Sequence, residues 1–179
     1  MARVEYNKNM RRYLRWGFFL PCVLLSLRQA PCAENLVPTG FAPDGTEMRY
    51  GPPDRKLADG SIFDYMDGGG IVYLDHGFRM LVHREFSDPR SRRITFDRFT
   101  MENAAQALAA LADERIAPAG GSPLALGVPN RAYRFPPDYF IYMVLDNNLI
   151  YLHVDDDALA EILDQFASVI LKSPKEEKE

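Results

Sequence analysis

The chain has 179 residues, with 25 Asp and Glu, 21 Lys and Arg, and two cysteines. Six of the basic residues and one of the acidic residues precede Glu34, which leaves 15 basic and 24 acidic residues and a net charge of about −9. This acidity argues against sequence-independent binding of nucleic acid, because such binding neutralises phosphates with Lys and Arg. The length after Glu34 suffices for one hydrophobic core.

The first 33 residues have the order of a secretory signal peptide. Arg11, Arg12 and Arg15 precede an apolar run over residues 16–27, and small residues follow around Cys32. The run is shorter than the roughly 20 residues that a membrane-spanning helix needs. We therefore expect cleavage near Cys32 and an exported protein, periplasmic or extracellular. The alternative is an uncleaved, membrane-anchored structural protein, and membrane contact is expected only in that case.

Both cysteines, Cys22 and Cys32, lie in this leader or at its end. The domain that remains after cleavage therefore contains no thiol. This excludes disulfides, Cys-type zinc sites and thiol catalysis in that domain, so its stability must come from the core.

The sequence pattern changes from irregular to helical near Ser61. Residues 34–60 are rich in Pro, Gly, Asp and Thr and have no sustained apolar period, so we expect an irregular lead-in. Ser61 is placed to cap a helical turn, and Asp64 stands at the third position, where it can return a hydrogen bond to the cap. The glycines at 68–70 are expected to kink or break this helix before a second helical turn over 71–74.

Two strands follow, and they are expected to pair as an antiparallel hairpin. In the first, over residues 78–86, apolar side chains alternate onto one face. These side chains are Phe78, Met80, Val82 and Phe86. The other face carries Arg79, His83 and Glu85, and we expect His83 to be exposed to solvent. The second strand covers residues 93–99.

The second half of the chain begins with a helix and a hairpin. Residues 102–114 form a helix with a stripe of small apolar side chains, and Thr100 is placed to cap it. Residues 139–145 are apolar on both faces, which predicts a central strand covered on both sides. The turn at 146–148 leads into a strand over 149–154, which completes a second hairpin.

The acidic residues 155–157 cap a final helix that has the strongest helical periodicity in the chain. The order of elements predicts an α+β fold, with a mostly antiparallel sheet of about five strands and two or three helices packed against it. We expect one domain over residues 61–172, followed by a charged tail over 173–179.

The segment from Asp64 to Phe78 is the densest mixture of carboxylates, tyrosines and glycines. The candidate binding residues in it are Asp64, Tyr65, Asp67, Gly68, Gly69, Gly70, Tyr73 and His76. A glycine run before a helical turn can present backbone N–H groups to an anion. The alternative interpretation is that the glycines only bend the chain. It is favoured because the spacing of the glycines matches neither a dinucleotide-binding motif nor a P-loop.

Two hypotheses for function follow from this segment. The first is a non-enzymatic exported module that binds a small ligand or another envelope protein. The second is a metal-dependent or acid/base hydrolase that uses Asp64, Asp67, Asp75 and His76, since carboxylates and imidazoles ligate metals and transfer protons. Carboxylates beside glycines are commonly caps and turn formers, so the first is favoured. We predict no cofactor and no metal. Convergence of the four side chains in a cleft would favour the enzyme.

The stretch Tyr65-Met66-Asp67-Gly68-Gly69-Gly70, with Tyr73-Leu74 and Gly77-Phe78, resembles a bacterial exported family known as domain of unknown function 6599. The resemblance extends over about residues 61–171 and includes the second strand and the Asn103-Ala104 pair. The chain departs from the family at Gly70-Ile71, where members tend to have Ala-Glu. The resemblance implies export and an α+β fold, and it implies no activity.

Overall fold

The computed structural model describes residues 36–173 of the chain. The predicted signal peptide lies outside this range, and so does the predicted tail apart from Ser173. Within the described range, no helix combines the length and the apolar character that a membrane crossing requires.

Strands and helices combine as expected for the α+β class, which is confirmed. The strands are β1 (Ala42–Pro43), β2 (Met48–Tyr50), β3 (Phe78–Ser87), β4 (Arg93–Met101), β5 (Asn130–Phe135), β6 (Asp138–Leu145) and β7 (Asn148–Val154). The α-helices are α1 (Ile62–Met66), α2 (Gly70–Asp75), α3 (Ala104–Ala112) and α4 (Ala160–Lys172). A short 3₁₀ turn (Asp67–Gly69) joins α1 to α2, and another (Asp157–Leu159) precedes α4.

All pairs of neighbouring strands are antiparallel, and they form one sheet. The strands β3, β4, β7, β6 and β5 lie side by side in that order, while β1 and β2 both pair with the outer edge of β3. One face of the sheet packs against α4 through Leu163, Phe166 and Ile170. The other face packs against α1, α2 and α3 through residues that include Ile62 and Tyr73. The sheet therefore separates two cores.

The number of strands, and the place of the strand expected at the centre of the sheet, differ from the expectation. The lead-in 34–60 supplies β1 and β2, so the sheet has seven strands rather than about five. These strands are too short to show an alternating pattern, yet they pair with the otherwise open edge of β3. The predicted central strand is β6, which lies next to the edge strand β5. Its Ile141 and Val144 are buried in opposite cores, so both faces of the strand are covered as predicted. Apolar residues on both faces indicate that a strand is covered on both sides, but they do not indicate where in the sheet the strand lies.

A β-bulge near the start of β3 changes which side chains share a face. The pairing passes from Phe78 opposite Met101 to Met80 opposite Thr100, so Arg79 is an additional residue in β3. Phe78 consequently faces α1 to α3, while the other residues of the predicted apolar face, Met80, Val82 and Phe86, face the opposite way. The prediction was wrong for Phe78 for this reason. His83 also faces the helices, where only 6% of it is exposed, so its predicted exposure was wrong as well.

Helix α3 begins two residues later than expected. The strand β4 continues to Met101, and Thr100 lies within it, where its hydroxyl donates to Asn148 Oδ1 over 2.8 Å. The cap is instead Asn103, whose side-chain oxygen accepts the backbone N–H of Gln106 over 3.0 Å. The longer strand leaves Thr100 unable to act as the cap.

Candidate functional site

The carboxylate of Asp64 belongs to the start of α1. The backbone N–H of Ser61 donates to Asp64 Oδ2 over 2.7 Å, and the Ser61 hydroxyl donates to the same oxygen over 2.9 Å. These two hydrogen bonds lower the pKa of Asp64, the backbone bond first. The predicted capping box is therefore confirmed, and Asp64 is engaged in local structure.

The end of α2 is bonded to the segment that follows α3. His76 Nε2 lies 2.9 Å from Asp113 Oδ2, and Arg115 Nη1 lies 3.4 Å from Asp75 Oδ2. Hydrogen bonds from Arg115, and then from His76, lower the pKa of Asp113 far below its ordinary value. Asp75 and His76 thus bind partners different from the partner of Asp64. Across residues 36–173, no three His, Cys, Asp or Glu side chains are placed to share a metal ion.

Gly70 and Tyr73 hold α2 against its neighbours. A Cβ atom on Gly70 would lie 3.0 Å from Ile62 Cγ2 and 3.1 Å from Phe63 Cδ1, so the glycine permits close packing of α1 and α2. The ring of Tyr73 stacks on Phe99 with 4.2 Å between ring centroids, and the residue is 9% exposed. Gly70 therefore serves the contact between the two helices, and Tyr73 serves the packing of α2 on the sheet.

Tyr65 connects α1 to two buried polar residues of the sheet. Its hydroxyl donates to Asp97 Oδ2 over 2.8 Å and lies 3.1 Å from His83 Nδ1. His83 Nδ1 lies 2.7 Å from Asp97 Oδ1, and the two residues are 6% and 3% exposed. The sequence interpretation missed Asp97 and the role of His83. The two stand opposite each other in the β3–β4 hairpin, so its register was the one signal that would have paired them.

Four tyrosines belong to the same core as Tyr65 and its partner Asp97, and we call them the tyrosine cluster: Tyr65, Tyr73, Tyr142 and Tyr151. Only the Tyr65 hydroxyl bonds to the Asp97 carboxylate. Asp97 stands opposite Tyr151, and Tyr151 stands opposite Tyr142 on the next strand. Burial raises the pKa of each tyrosine, that of Tyr142 to about 12, and the negative charge of Asp97 contributes to every one of these increases. The charge of Asp97 therefore contributes to the raised pKa of tyrosines on two helices and two strands.

Gly68 and Gly69 differ from the other glycines of the described range. Six of the eleven glycines there have positive φ, and at Gly51, Gly70 and Gly121 a Cβ atom would meet a neighbour within 2.1, 3.0 and 2.6 Å. Gly68 and Gly69 have neither feature, since φ is not positive and a Cβ atom would meet nothing within 4 Å. Neither backbone conformation nor packing explains these two glycines.

The bend between α1 and α2 exposes apolar side chains beside these glycines. The positive φ of the bend occurs at Asp67 (φ 51°, ψ −139°), a conformation that costs about 1–3 kcal/mol for a residue other than glycine. Phe63 is 37% exposed and Ile71 is 56% exposed. We call the set of Phe63, Asp67, Gly68, Gly69 and Ile71 the bend surface. It contains three of the eight candidate binding residues, and all its members are exposed.

Comparisons with known proteins give one weak structural similarity and no family match. No protein-family model matches the chain, and no curated protein matches it. The resemblance to domain of unknown function 6599 therefore stays a prediction. Among solved structures, the extracellular domain of PknH from Mycobacterium tuberculosis is similar at 11% identity and a TM-score of 0.41, over 75% of this chain and 87% of that chain. A likeness of this strength supports no conclusion about function.

Proposed function

We propose that this chain is an exported, non-enzymatic module that binds another envelope protein through the bend surface. The observation that carries the proposal is the pair Gly68 and Gly69. Glycine in a helical conformation is less stable than alanine by about 0.5–1 kcal/mol, because it loses more backbone entropy on folding. Here that cost is present twice, at positions where a side chain would point into open space. Absence of side chains allows a partner to approach the backbone closely.

The residues beside the glycines supply the remaining features of an interface. Phe63 and Ile71 offer exposed apolar area, which the partner would bury. The positive φ of Asp67 keeps the bend in a conformation that ordinary side chains avoid, and such strain is concentrated at binding sites. Export is supported by the leader pattern of the first 33 residues.

Photo-crosslinking in the cells that export the protein tests the proposal. A photoreactive amino acid replaces Ile71 in the full chain, and in a matched variant it replaces Val169, which is 46% exposed on α4 across the sheet. We expect position 71 to give a discrete crosslinked envelope protein and position 169 to give none. Equal yields from the two positions, or none from position 71, would contradict the proposal.

The hydrolase hypothesis receives no support from the placement of its residues. Asp64 bonds to Ser61, His76 bonds to Asp113 and Asp75 pairs with Arg115. The membrane-anchored alternative depends on the leader alone. N-terminal sequencing of the exported protein distinguishes it, because a cleaved product begins near residue 33.

A further inference from the structure

A cavity lies on the α4 face of the sheet, beside the short strands β1 and β2. Its volume is about 420 Å³, within the range of about 300–1,000 Å³ that is usual for small-molecule sites. Its apolar walls are Leu36, Val37, Pro43 and Phe86. The cavity therefore has room for the body of a small ligand.

A second, narrow cavity adjoins the first, since the two share Leu36, Arg84 and Phe86 as walls. It lies between the sheet and α4, where Arg98 and Phe166 also line it. Its volume of about 20 Å³ suffices for one group the size of a water molecule, such as a single oxygen atom of a ligand. A wide space is thus accompanied by a narrow one that is lined by an arginine.

Arg98 carries a buried positive charge that the fold does not neutralise. Its Nε atom is fully buried without a hydrogen bond, and its guanidinium forms no ion pair among residues 36–173. Its neighbours in the sheet are apolar, since Val82 stands opposite it on β3 and Ile150 stands opposite it on β7. A buried charged group without a partner is costly and calls for an explanation such as a bound ion. For a guanidinium that ion is an anion.

The carboxylate nearest to these cavities is already bonded to two other arginines. Glu47 Oε1 accepts a hydrogen bond from Arg49 Nε over 2.7 Å, and Glu47 Oε2 accepts one from Arg84 Nε over 2.6 Å. Glu85 also borders the wide cavity, but it follows Arg84 on β3, so its side chain is directed to the opposite face of the sheet. The lining on this face therefore has three arginines and one carboxylate, which is a positive region on an acidic protein.

We propose that the two cavities bind a small organic carboxylate with an apolar body. One carboxylate oxygen enters the narrow cavity and accepts a hydrogen bond from Arg98 Nε, while the apolar body lies in the wide cavity against Leu36, Val37 and Phe86. A carboxylate fits this position better than a doubly charged phosphate, because apolar surroundings penalise each additional charge. This face lies across the sheet from the bend surface, so the inference does not depend on the proposed partner protein.

Titration of the exported protein with octanoate tests this site, using NMR signals of the backbone amides in β3 and β4. The control ligands are octan-1-ol, which keeps the chain without the charge, and acetate, which keeps the charge without the chain. We expect saturable shifts near Val82 and Arg98 and a Kd for octanoate at least about ten-fold lower than for either control, because only octanoate combines the ion pair with apolar burial. Equal affinity for octanoate and either control, or no saturable shift in the millimolar range, would overturn the proposal.

Two arginines of β4 provide matched variants. Arg98→Gln removes a guanidinium that has no partner to lose in the described range, so we expect a folded protein with octanoate affinity lowered at least about ten-fold. Arg93→Gln changes an exposed residue on the opposite face of the same strand and should leave octanoate affinity unchanged. Unchanged affinity in Arg98→Gln, or equal losses in both variants, would overturn the site. Thermal unfolding checks both variants, and failure of Arg98→Gln to fold would also contradict the proposal, because the fold itself would then require this guanidinium.

Discussion

In the segment from α1 to α2, the side that faces the sheet and the side that faces solvent differ in how well the fold accounts for their residues. The inner side presents Ile62, Tyr65 and Tyr73 to the sheet, where they are packed or hydrogen-bonded. The outer side presents Phe63, Gly68, Gly69 and Ile71 to solvent, and neither backbone conformation nor packing explains the two glycines. The same short segment therefore has one side whose residues stabilise the fold and another side whose glycines are not needed for folding. The difference can be measured by matched substitutions.

Two isoleucines give the largest expected contrast. Ile62 is fully buried and Ile71 is 56% exposed. Ile62→Ala should reduce the free energy of unfolding by about 2–5 kcal/mol, because it removes buried apolar area and leaves a cavity. Ile71→Ala should change it by less than about 0.5 kcal/mol. Urea unfolding of both variants measures the difference, and similar losses would remove the distinction between the two sides.

Two tyrosines on the inner side provide the next contrast. Tyr65→Phe removes the hydroxyl that bonds to Asp97, so it leaves a buried carboxylate with one hydrogen bond fewer. We expect a loss of about 1–3 kcal/mol in unfolding free energy. Tyr73→Phe removes a hydroxyl without a partner in the described range and should cost little. If both variants were equally stable, the Tyr65–Asp97 bond would contribute nothing to the attachment of α1.

Glycine substitutions should give smaller changes of opposite sign. Gly68→Ala should raise the free energy of unfolding by about 0.5–1 kcal/mol, since the backbone φ is not positive and the new methyl meets open space. Gly70→Ala should lower it, because the methyl would lie 3.0 Å from Ile62. Thermal unfolding compares the two variants. Destabilisation by Gly68→Ala would show that the fold itself requires this glycine.

The smallest expected effect is a decrease of the free energy of unfolding in acid, caused by Asp113 near the end of α2. Arg115 and His76 lower the pKa of Asp113 in the folded state, so its contribution is fully present above the ordinary aspartate pKa of about 4. The contribution is lost as the pH falls below that value and Asp113 becomes protonated. We expect Asp113→Asn to weaken this acid-induced loss of stability, measured by urea unfolding across pH 7 to about 2. An unchanged pH profile would contradict the assignment.

Local features of the fold could be predicted from the sequence. The capping box of Ser61 and Asp64 depends on residues three positions apart, and the turn after β6 depends on adjacent residues. The edge strands β1 and β2 could not be predicted, because their formation depends on the open edge of β3 and not on their own pattern.

The candidate site was predictable only in part. Tyr65 and Tyr73 were identified within the glycine-rich segment, but their partners lie on distant strands. Burial of His83 and its pairing with Asp97 depend on strand register, and the bulge at Arg79 changes the alternation that a single sequence suggests. A side chain at position 68 would meet open space, and this could be learned only from the structure, because no sequence motif describes the surroundings of a residue.

The most direct test of the central claim is the crosslinking yield from position 71 in a chain that carries both Gly68→Ala and Gly69→Ala. Our account predicts a yield several-fold below that of the unsubstituted bend, because the added methyl groups would keep a partner from the backbone. Thermal unfolding of the same variant serves as the control for folding and should show equal or greater stability. An unchanged yield from a folded variant would contradict the proposal that these glycines serve a partner.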